Sequence, residues 1–401
     1  MNTNATTPDG RRPISRFCTK KLPATGKAAA VALAVLLCAR VSVCRAAGDA
    51  DLSKLQPGMA LPAMRIAQDL TPEQRSYLGL PGRLIGMFMG KGFKVSDIRA
   101  DVVVIEFFNV YCTSCQKQAP VMNEVYERVS TRADMRDRVR FFGIGAGNNQ
   151  QEAAMFMRRY SIGFPMFPDP DFANYEAVGE PGATPLTIIA RKHGRELLVV
   201  SAHAGLVKNA DVIMTAVRGA LASTAETLLA QRTQAETAQS VKRPRIDLDM
   251  SADEVEKAVL ASMRRASGGD DSITGVRKVN YPRSGDIFVA EPAGTAPALY
   301  AQVVSRPPTC DVCHGVHFVL VFDDAGIVRD FEPLHLTKYG NVVWTAYDAD
   351  FMRRHLIGLD VRQPFEFNPS IDSVTTATMT SVIIYNSAQR LHDVLREIRA
   401  R

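Results

Sequence analysis

Seven consecutive residues, Val102-Val-Val-Ile-Glu-Phe-Phe108, are apolar except for one glutamate. An uninterrupted run of this kind predicts a strand buried on both faces. Past Cys112-Thr-Ser-Cys115 the pattern changes period: Met122, Val125 and Val129 recur at helical spacing. Val139–Ile144 predicts a second strand, Ala153, Phe156, Met157 and Tyr160 a second amphipathic helix, and Phe164–Phe167 a short strand. Pro185–Ile189 and Leu197–Ser201 flank His193-Gly194 and read as a hairpin, followed by an Ala- and Leu-rich helix from about Asn209. The order βαβα then ββα predicts one α/β domain over residues 57–222. Between 223 and 285 the composition shifts to Ala, Gln, Thr, Lys and Arg, which predicts a helical or flexible linker. Its one predicted helix starts at Ser251-Ala-Asp-Glu254, where Ser and Glu have capping-box spacing. A smaller α+β domain is expected over 286–401, with a strand–turn–strand at His317–Phe331 around Gly326. A last helix there, from about Ser381, carries Ile384, Leu391, Leu395 and Ile398.

Charge changes the picture at one end only. The chain's formal charge is +6, yet residues 1–47 alone hold eight Lys/Arg against Asp9, which leaves about −1 for the rest. The body of the chain therefore offers nothing that suggests nucleic-acid binding. The basic segment leads into Ala28-Ala-Ala-Val-Ala-Leu-Ala-Val-Leu-Leu-Cys-Ala39 and then Ala46-Ala47, an arrangement expected of an export signal, cleaved or retained as an anchor. A periplasmic or otherwise exported protein follows. Beyond residue 47 the cysteines are Cys112, Cys115, Cys310 and Cys313, two Cys-x-x-Cys pairs far apart in sequence. So few cysteines do not staple a scaffold; they point to chemistry.

At Cys112 and Cys115 a strand delivers two thiols to the first turn of a helix. The positive end of the helix favours the thiolate of the first cysteine, which becomes the attacking group. Spacing alone also suits a structural disulfide or half of a zinc site. The stretch Glu106-Phe-Phe-Asn-Val-Tyr-Cys-Thr-Ser-Cys-Gln-Lys-Gln-Ala-Pro120 resembles the active-site segment of the thioredoxin superfamily. The insertion before Pro185 is similar to that of the exported TlpA/ResA-like thiol-disulfide oxidoreductases. The resemblance implies a thioredoxin-like domain in which Cys112 attacks a substrate disulfide and Cys115 resolves the mixed disulfide. It further implies that Thr184-Pro185 holds the cis-proline opposite the cysteines, that Pro120 kinks the helix, and that Glu106 moves a proton for Cys115. Tyr111 stands where the family usually has Trp. Phe108-Asn-Val-Tyr111 lacks the Pro and Thr/Ser of a peroxidase signature.

The C-terminal part resembles the FMN-binding domain of flavin subunits in sodium-pumping quinone reductases and Rnf complexes. The hairpin around Gly326, the segment Phe351–Gly358 and Asp372-Ser-Val-Thr-Thr-Ala-Thr378 carry this resemblance. It implies an FMN-binding-like fold with Asp372, Thr375, Ala377 and Thr378 at the cofactor, and Thr378 as the residue esterified by FMN. Thr376 stands where that motif has Gly. Cys310-Asp-Val-Cys-His314 leaves three readings open: a second redox disulfide, a c-type haem with His314 as axial ligand, or a metal site with His314 and His317.

The expected function is disulfide exchange at Cys112/Cys115 on a protein disulfide or dithiol substrate. The C-terminal domain couples that site to electron transfer, with a membrane electron donor as a further partner. The alternative is a flavin- or haem-containing electron-transfer protein whose thioredoxin-like domain binds partners.

Overall fold

The first long strand, β1 (Val102–Phe108), is buried along its whole length, and its two faces belong to two different cores. Val103, Ile105 and Phe107 point one way, and Val102, Val104 and Phe108 the other, as the two-residue period of a strand requires. In the computed structural model, residues 50–80, 92–238, 248–269, 273–292, 298–310 and 313–401 are described; the expected export segment lies outside them.

After β1 come α1 (Thr113–Ser130), β2 (Val139–Ala146), α2 (Gln150–Arg159), β3 (Met166–Asp169) and the short α3 (Ala173–Ala177). The hairpin β4 (Leu186–His193) and β5 (Glu196–Ala204) and the helix α4 (Ala210–Ala222) follow. The sheet order is β3-β2-β1-β4-β5. β1, β2 and β3 run parallel, whereas β4 and β5 are antiparallel to their neighbours. Met122, Val125 and Val129 of α1, with Ile213, Met214 and Val217 of α4, cover the Val102/Val104/Phe108 face. The apolar stripe read from the sequence is thus the packed one.

The linker expected over 223–285 is largely structured. Helix α5 (Ala225–Ala238) buries Leu228 and runs so close to Gly58 that a Cβ there would fall 1.9 Å from the Leu228 carbonyl oxygen. Helix α6 (Ala252–Ser267) begins with the expected Ser251/Glu254 capping box, but it is no linker helix. Val259 and Met263 are fully buried on Phe288, Leu299, Ala301, Val319 and Val321 of the second sheet. β6 (Ile273–Tyr281) also falls inside the expected linker. The second module therefore starts near Ser251 rather than 286.

That module is a five-stranded antiparallel meander, order β10-β9-β8-β7-β6, built from β6, β7 (Gly285–Pro292), β8 (Leu299–Arg306), β9 (Val316–Asp323) and β10 (Val328–His335). Helices α7 (Ala346–Leu356) and α8 (Thr378–Arg399) complete it. Their buried residues, Met352, Leu356, Ile384 and Leu391 among them, share one core with Val103, Ile105 and Phe107 of β1. Residues Ala46–Arg401 form one compact unit, the two modules included. Among the described residues no single helix is long and apolar enough to cross a membrane.

Candidate functional site

The turn after β1 is fixed by side-chain amides. Asn109, fully buried, donates from Nδ2 to the Ala146 carbonyl (2.7 Å) and accepts from the Tyr111 N–H (2.9 Å). Asn148 at the end of β2 accepts from the Val110 N–H (3.0 Å). Held from two strands, the turn places Cys112 as the N-cap of α1, where its sulfur accepts the Cys115 N–H at 3.3 Å. A sulfur in this position faces the positive end of the helix, and a thiolate gains from it. Cys112 and Cys115 are thiols, 2% and 3% exposed. Burial pushes the Cys115 thiol well up, and the neighbouring Cys112 sulfur adds to that.

Opposite lies the Thr184–Pro185 peptide, which is cis. The Cys112 thiol donates to the Thr184 carbonyl at 3.3 Å. Tyr175 shapes the approach: its hydroxyl accepts from the Ala183 N–H (2.9 Å) and donates to the Ala183 carbonyl (3.2 Å). Pro120 lies inside α1, five residues after Cys115.

Glu106 is buried on β1 beneath the cysteines. It accepts from Gln118 Nε2 (2.7 Å) and the Thr187 hydroxyl (2.6 Å), and burial nonetheless raises its pKa to about 7. A cavity of about 10 Å³ is lined by both Glu106 and Cys115, otherwise mostly by apolar groups such as Phe108, Met122 and Phe156. Carboxyl and resolving thiol thus border the same small space. Tyr111 donates its hydroxyl to Glu152, which also accepts from the Asn149 N–H (2.9 Å), so this residue ties the turn to α2.

Cys310 and Cys313, in the connection between β8 and β9, are joined in a disulfide with Cα atoms 5.2 Å apart. Cys310 is 4% exposed and belongs to the same apolar cluster as Cys112 and Cys115, and Cys313 packs against that cluster. The Thr184 hydroxyl, beside the cis-proline, donates to the Thr309 carbonyl at 2.8 Å. Thr184 thus links the two regions: its carbonyl accepts from Cys112 and its hydroxyl bonds the residue before Cys310. Both sulfurs of the second pair are engaged in the disulfide. His314 lies with its ring 6.0 Å from that of His335, and His317 Nδ1 is 3.0 Å from the Ser305 hydroxyl. Among the described residues no group of three His, Cys, Asp or Glu side chains is arranged to hold a metal.

The flavin-type motif forms a loop leading into α8. Thr376 takes φ +62°, the left-handed conformation that glycine adopts freely, so the backbone turn survives without glycine. The Tyr339 N–H donates to the Thr376 carbonyl (2.8 Å). Thr378 is the first residue of α8, and Ala377 before it gives no side-chain cap. Asp372, however, is used in its own loop, accepting from the Asn368 N–H at 2.7 Å. Thr375 is exposed and Ala377 buried. The small cavity beside Cys115 and an open groove of about 800 Å³ around Lys94, Asp101, Lys192 and Arg195 are lined by other residues than these.

Strand order, a helix opened by Cys112 and a cis-proline facing it together define the architecture. The N-terminal half has a thioredoxin-like fold. No family model matches the chain. It is similar to the thiol-disulfide oxidoreductase ResA of Bacillus subtilis (strain 168), 24% identical over 112 residues, which is 28% of this chain and 59% of that protein. ResA of Geobacillus thermodenitrificans (strain NG80-2) is 22% identical over 121 residues, 30% of this chain and 66% of the relative. The chain thus matches less than two-thirds of the length of these relatives. Among solved structures, a putative thiol:disulfide interchange protein DsbE from Chlorobium tepidum has a TM-score of 0.31 at 18% identity, covering 42% of this chain and 99% of its own. StoA from Bacillus subtilis has a TM-score of 0.26 at 14% identity, covering 39% and 96%.

Gln118, Thr187, Asn109, Tyr175 and Thr309 complete the site without having been singled out in the sequence. Gln118 left a signal: it is a polar residue at helical spacing between Cys115 and Met122, on a face that is otherwise apolar. Thr309 left none, because its partner is 125 residues away.

Proposed function

We propose that the protein is an exported thiol-disulfide oxidoreductase in which Cys112/Cys115 exchange electrons with Cys310/Cys313 and with disulfides of partner proteins. The observation that carries this reading is the burial of both pairs in one apolar cluster, with Thr309 hydrogen-bonded to the threonine of the cis-proline. Likeness to ResA over part of that protein's length supports the reaction class. Export is supported by the basic and apolar N-terminal segment.

The Cys112 thiolate attacks the Cys310 sulfur. The Cys310–Cys313 bond breaks, a Cys112–Cys310 mixed disulfide forms, and Cys313 leaves as a thiolate that takes up a proton. Cys115 then attacks the Cys112 sulfur, closing the Cys112–Cys115 disulfide and releasing Cys310. Cys310 leaves as a thiolate and is protonated in turn; two electrons pass from the first pair to the second, while the Cys115 proton goes to Glu106 and the second pair takes up its two protons from the surroundings. Attack by Cys115 requires loss of its proton, which burial opposes. Glu106, bordering the same cavity and with a pKa of about 7, accepts it. External disulfides follow the same two steps.

FMN bound at Thr378 would add a one- or two-electron carrier; Thr376 and the uncapped start of α8 would face its phosphate. None of the steps above depends on it.

The test is reduction of each pair followed by thiol trapping and peptide mass spectrometry. In Cys112→Ser protein, reduction of Cys310–Cys313 by a catalytic amount of a reduced dithiol protein is expected to slow at least tenfold relative to wild type. Equal rates would refute the coupling.

A further inference from the structure

A partner disulfide must bring a sulfur into bonding distance of the Cys112 sulfur, past the cis Thr184–Pro185 peptide that lies against it. That approach is filled by the protein's own chain. Cys112 is 2% exposed and Thr184 fully buried, and the Thr184 hydroxyl is committed to the Thr309 carbonyl at 2.8 Å. Pro307 and Pro308 pass Gly182 at van der Waals contact: a Cβ there would sit 3.6 Å from the Pro308 carbonyl oxygen. Two prolines in succession present a stiff, extended segment without N–H groups of its own.

A second set of contacts lies about α3. Arg306, at the end of β8, binds Glu176 (2.7 Å) and also Glu180, and its guanidinium stands 6.0 Å from the Phe172 ring centre. Arg390 of α8 binds Glu176 and donates to the Asp171 carbonyl (3.0 Å). Asn386 donates to the Pro170 carbonyl (2.7 Å). Arg306 is 12% exposed and its two carboxylates 29% and 27%, so these pairs are shielded enough from water to act as a latch. Residues 170–184 thus hold the second module from α3 to the cis-proline.

We infer that the segment Pro307–Thr309 is a tethered competitor for the approach to Cys112, held by Arg306 on Glu176 and Glu180 with Arg390 on the same Glu176, and that partner disulfides reach Cys112 only when this segment withdraws while the shared core stays in place. The inference rests on the reading of Cys112 as the nucleophile. A tethered segment reaches an effective concentration on the order of millimolar. A micromolar partner of equal intrinsic affinity would then be excluded roughly a thousandfold. The arrangement favours internal exchange over encounters with foreign disulfides.

The experiment uses the full chain, fully reduced and freed of reductant for alkylation and insulin reduction, and with Cys112/Cys115 reduced and Cys310–Cys313 oxidised for exchange. The rate of Cys112 alkylation by iodoacetamide, the rate of insulin reduction and the rate of exchange between the two pairs are measured in wild type, in Arg306→Gln/Arg390→Gln and in Glu176→Gln/Glu180→Gln. Both double variants are expected to alkylate at Cys112 at least tenfold faster, to reduce insulin faster and to exchange internally more slowly. A variant that merely unfolds would lose insulin reduction together with internal exchange. Wild-type Cys112 alkylating as fast as a free cysteine, or no gain in either variant, would overturn the inference. Insulin reduction surviving in Cys112→Ser would instead sink the nucleophile assignment itself.

Discussion

Cys112 and Cys115 open an 18-residue helix behind a buried parallel strand; Cys310 and Cys313 sit in the connection between two antiparallel strands. The spacing is the same, and the settings give the sulfurs different work. At the first pair the helix start points N–H groups at the leading sulfur, and a buried carboxyl borders the cavity behind the second. Among the described residues around the second pair there is no such helix, and Pro307 and Pro308 precede it. On the proposed reading, one pair attacks and the other is attacked. A four-residue pattern says two sulfurs can join; the element that carries it says which one leads.

The comparison breaks most sharply by removing a sulfur from each side. Cys112→Ser is expected to abolish insulin reduction, whereas Cys310→Ser/Cys313→Ser is expected to keep it; equal losses would erase the distinction. Next in size is the scaffold of the second pair. Met263→Ala removes a side chain buried in the second module's core and should cost about 2–5 kcal/mol in chemical denaturation. A loss below about 0.5 kcal/mol would return residues 251–267 to a linker.

Glu106 sharpens the asymmetry between the pairs. Its pKa of about 7 in the fold lies above its ordinary 4.5, so the folded state holds a proton that the unfolded chain releases. Its contribution to stability is therefore fully present below pH 4.5 and is lost as pH rises through about 7. In Glu106→Gln, the decline of stability over that window should flatten. The rate of mixed-disulfide resolution by Cys115 should fall and lose its inflection near pH 7, while the Cys112 attack rate stays within about twofold. An unchanged resolution profile would reduce Glu106 to a buried polar group. The smallest effect is expected at Tyr111→Phe, which gives up the hydrogen bond to Glu152 and should cost about 1 kcal/mol by denaturation.

What could be read from the sequence was what local pattern governs. Val102–Phe108 and the stripe Met122/Val125/Val129 fall where a short-range rule puts them, and the cis Thr184–Pro185 peptide is where the family resemblance put it. The α6–β6 region was misread as linker for a physical reason. Strand β6 is largely exposed, with Arg277, Lys278 and Asn280 along it, and it reads as a charged tract until its pairing with β7 is seen. The stripe Val259/Met263 was present, but nothing near it named the sheet it covers. The link between the regions of the two cysteine pairs was the least legible feature. It depends on Thr184 finding Thr309 and on Glu176 finding Arg306 and Arg390, contacts 125 to 214 residues apart that leave no periodicity.

The most direct measurement is to trap the exchange between the pairs. A Cys115→Ser/Cys313→Ser protein keeps one attacking sulfur and one target sulfur, and mild oxidation followed by non-reducing peptide mapping identifies what Cys112 joins. The account predicts a Cys112–Cys310 disulfide within one chain, formed independently of protein concentration. Recovery of only intermolecular dimers, or of Cys112 and Cys310 as separate thiols, would contradict it.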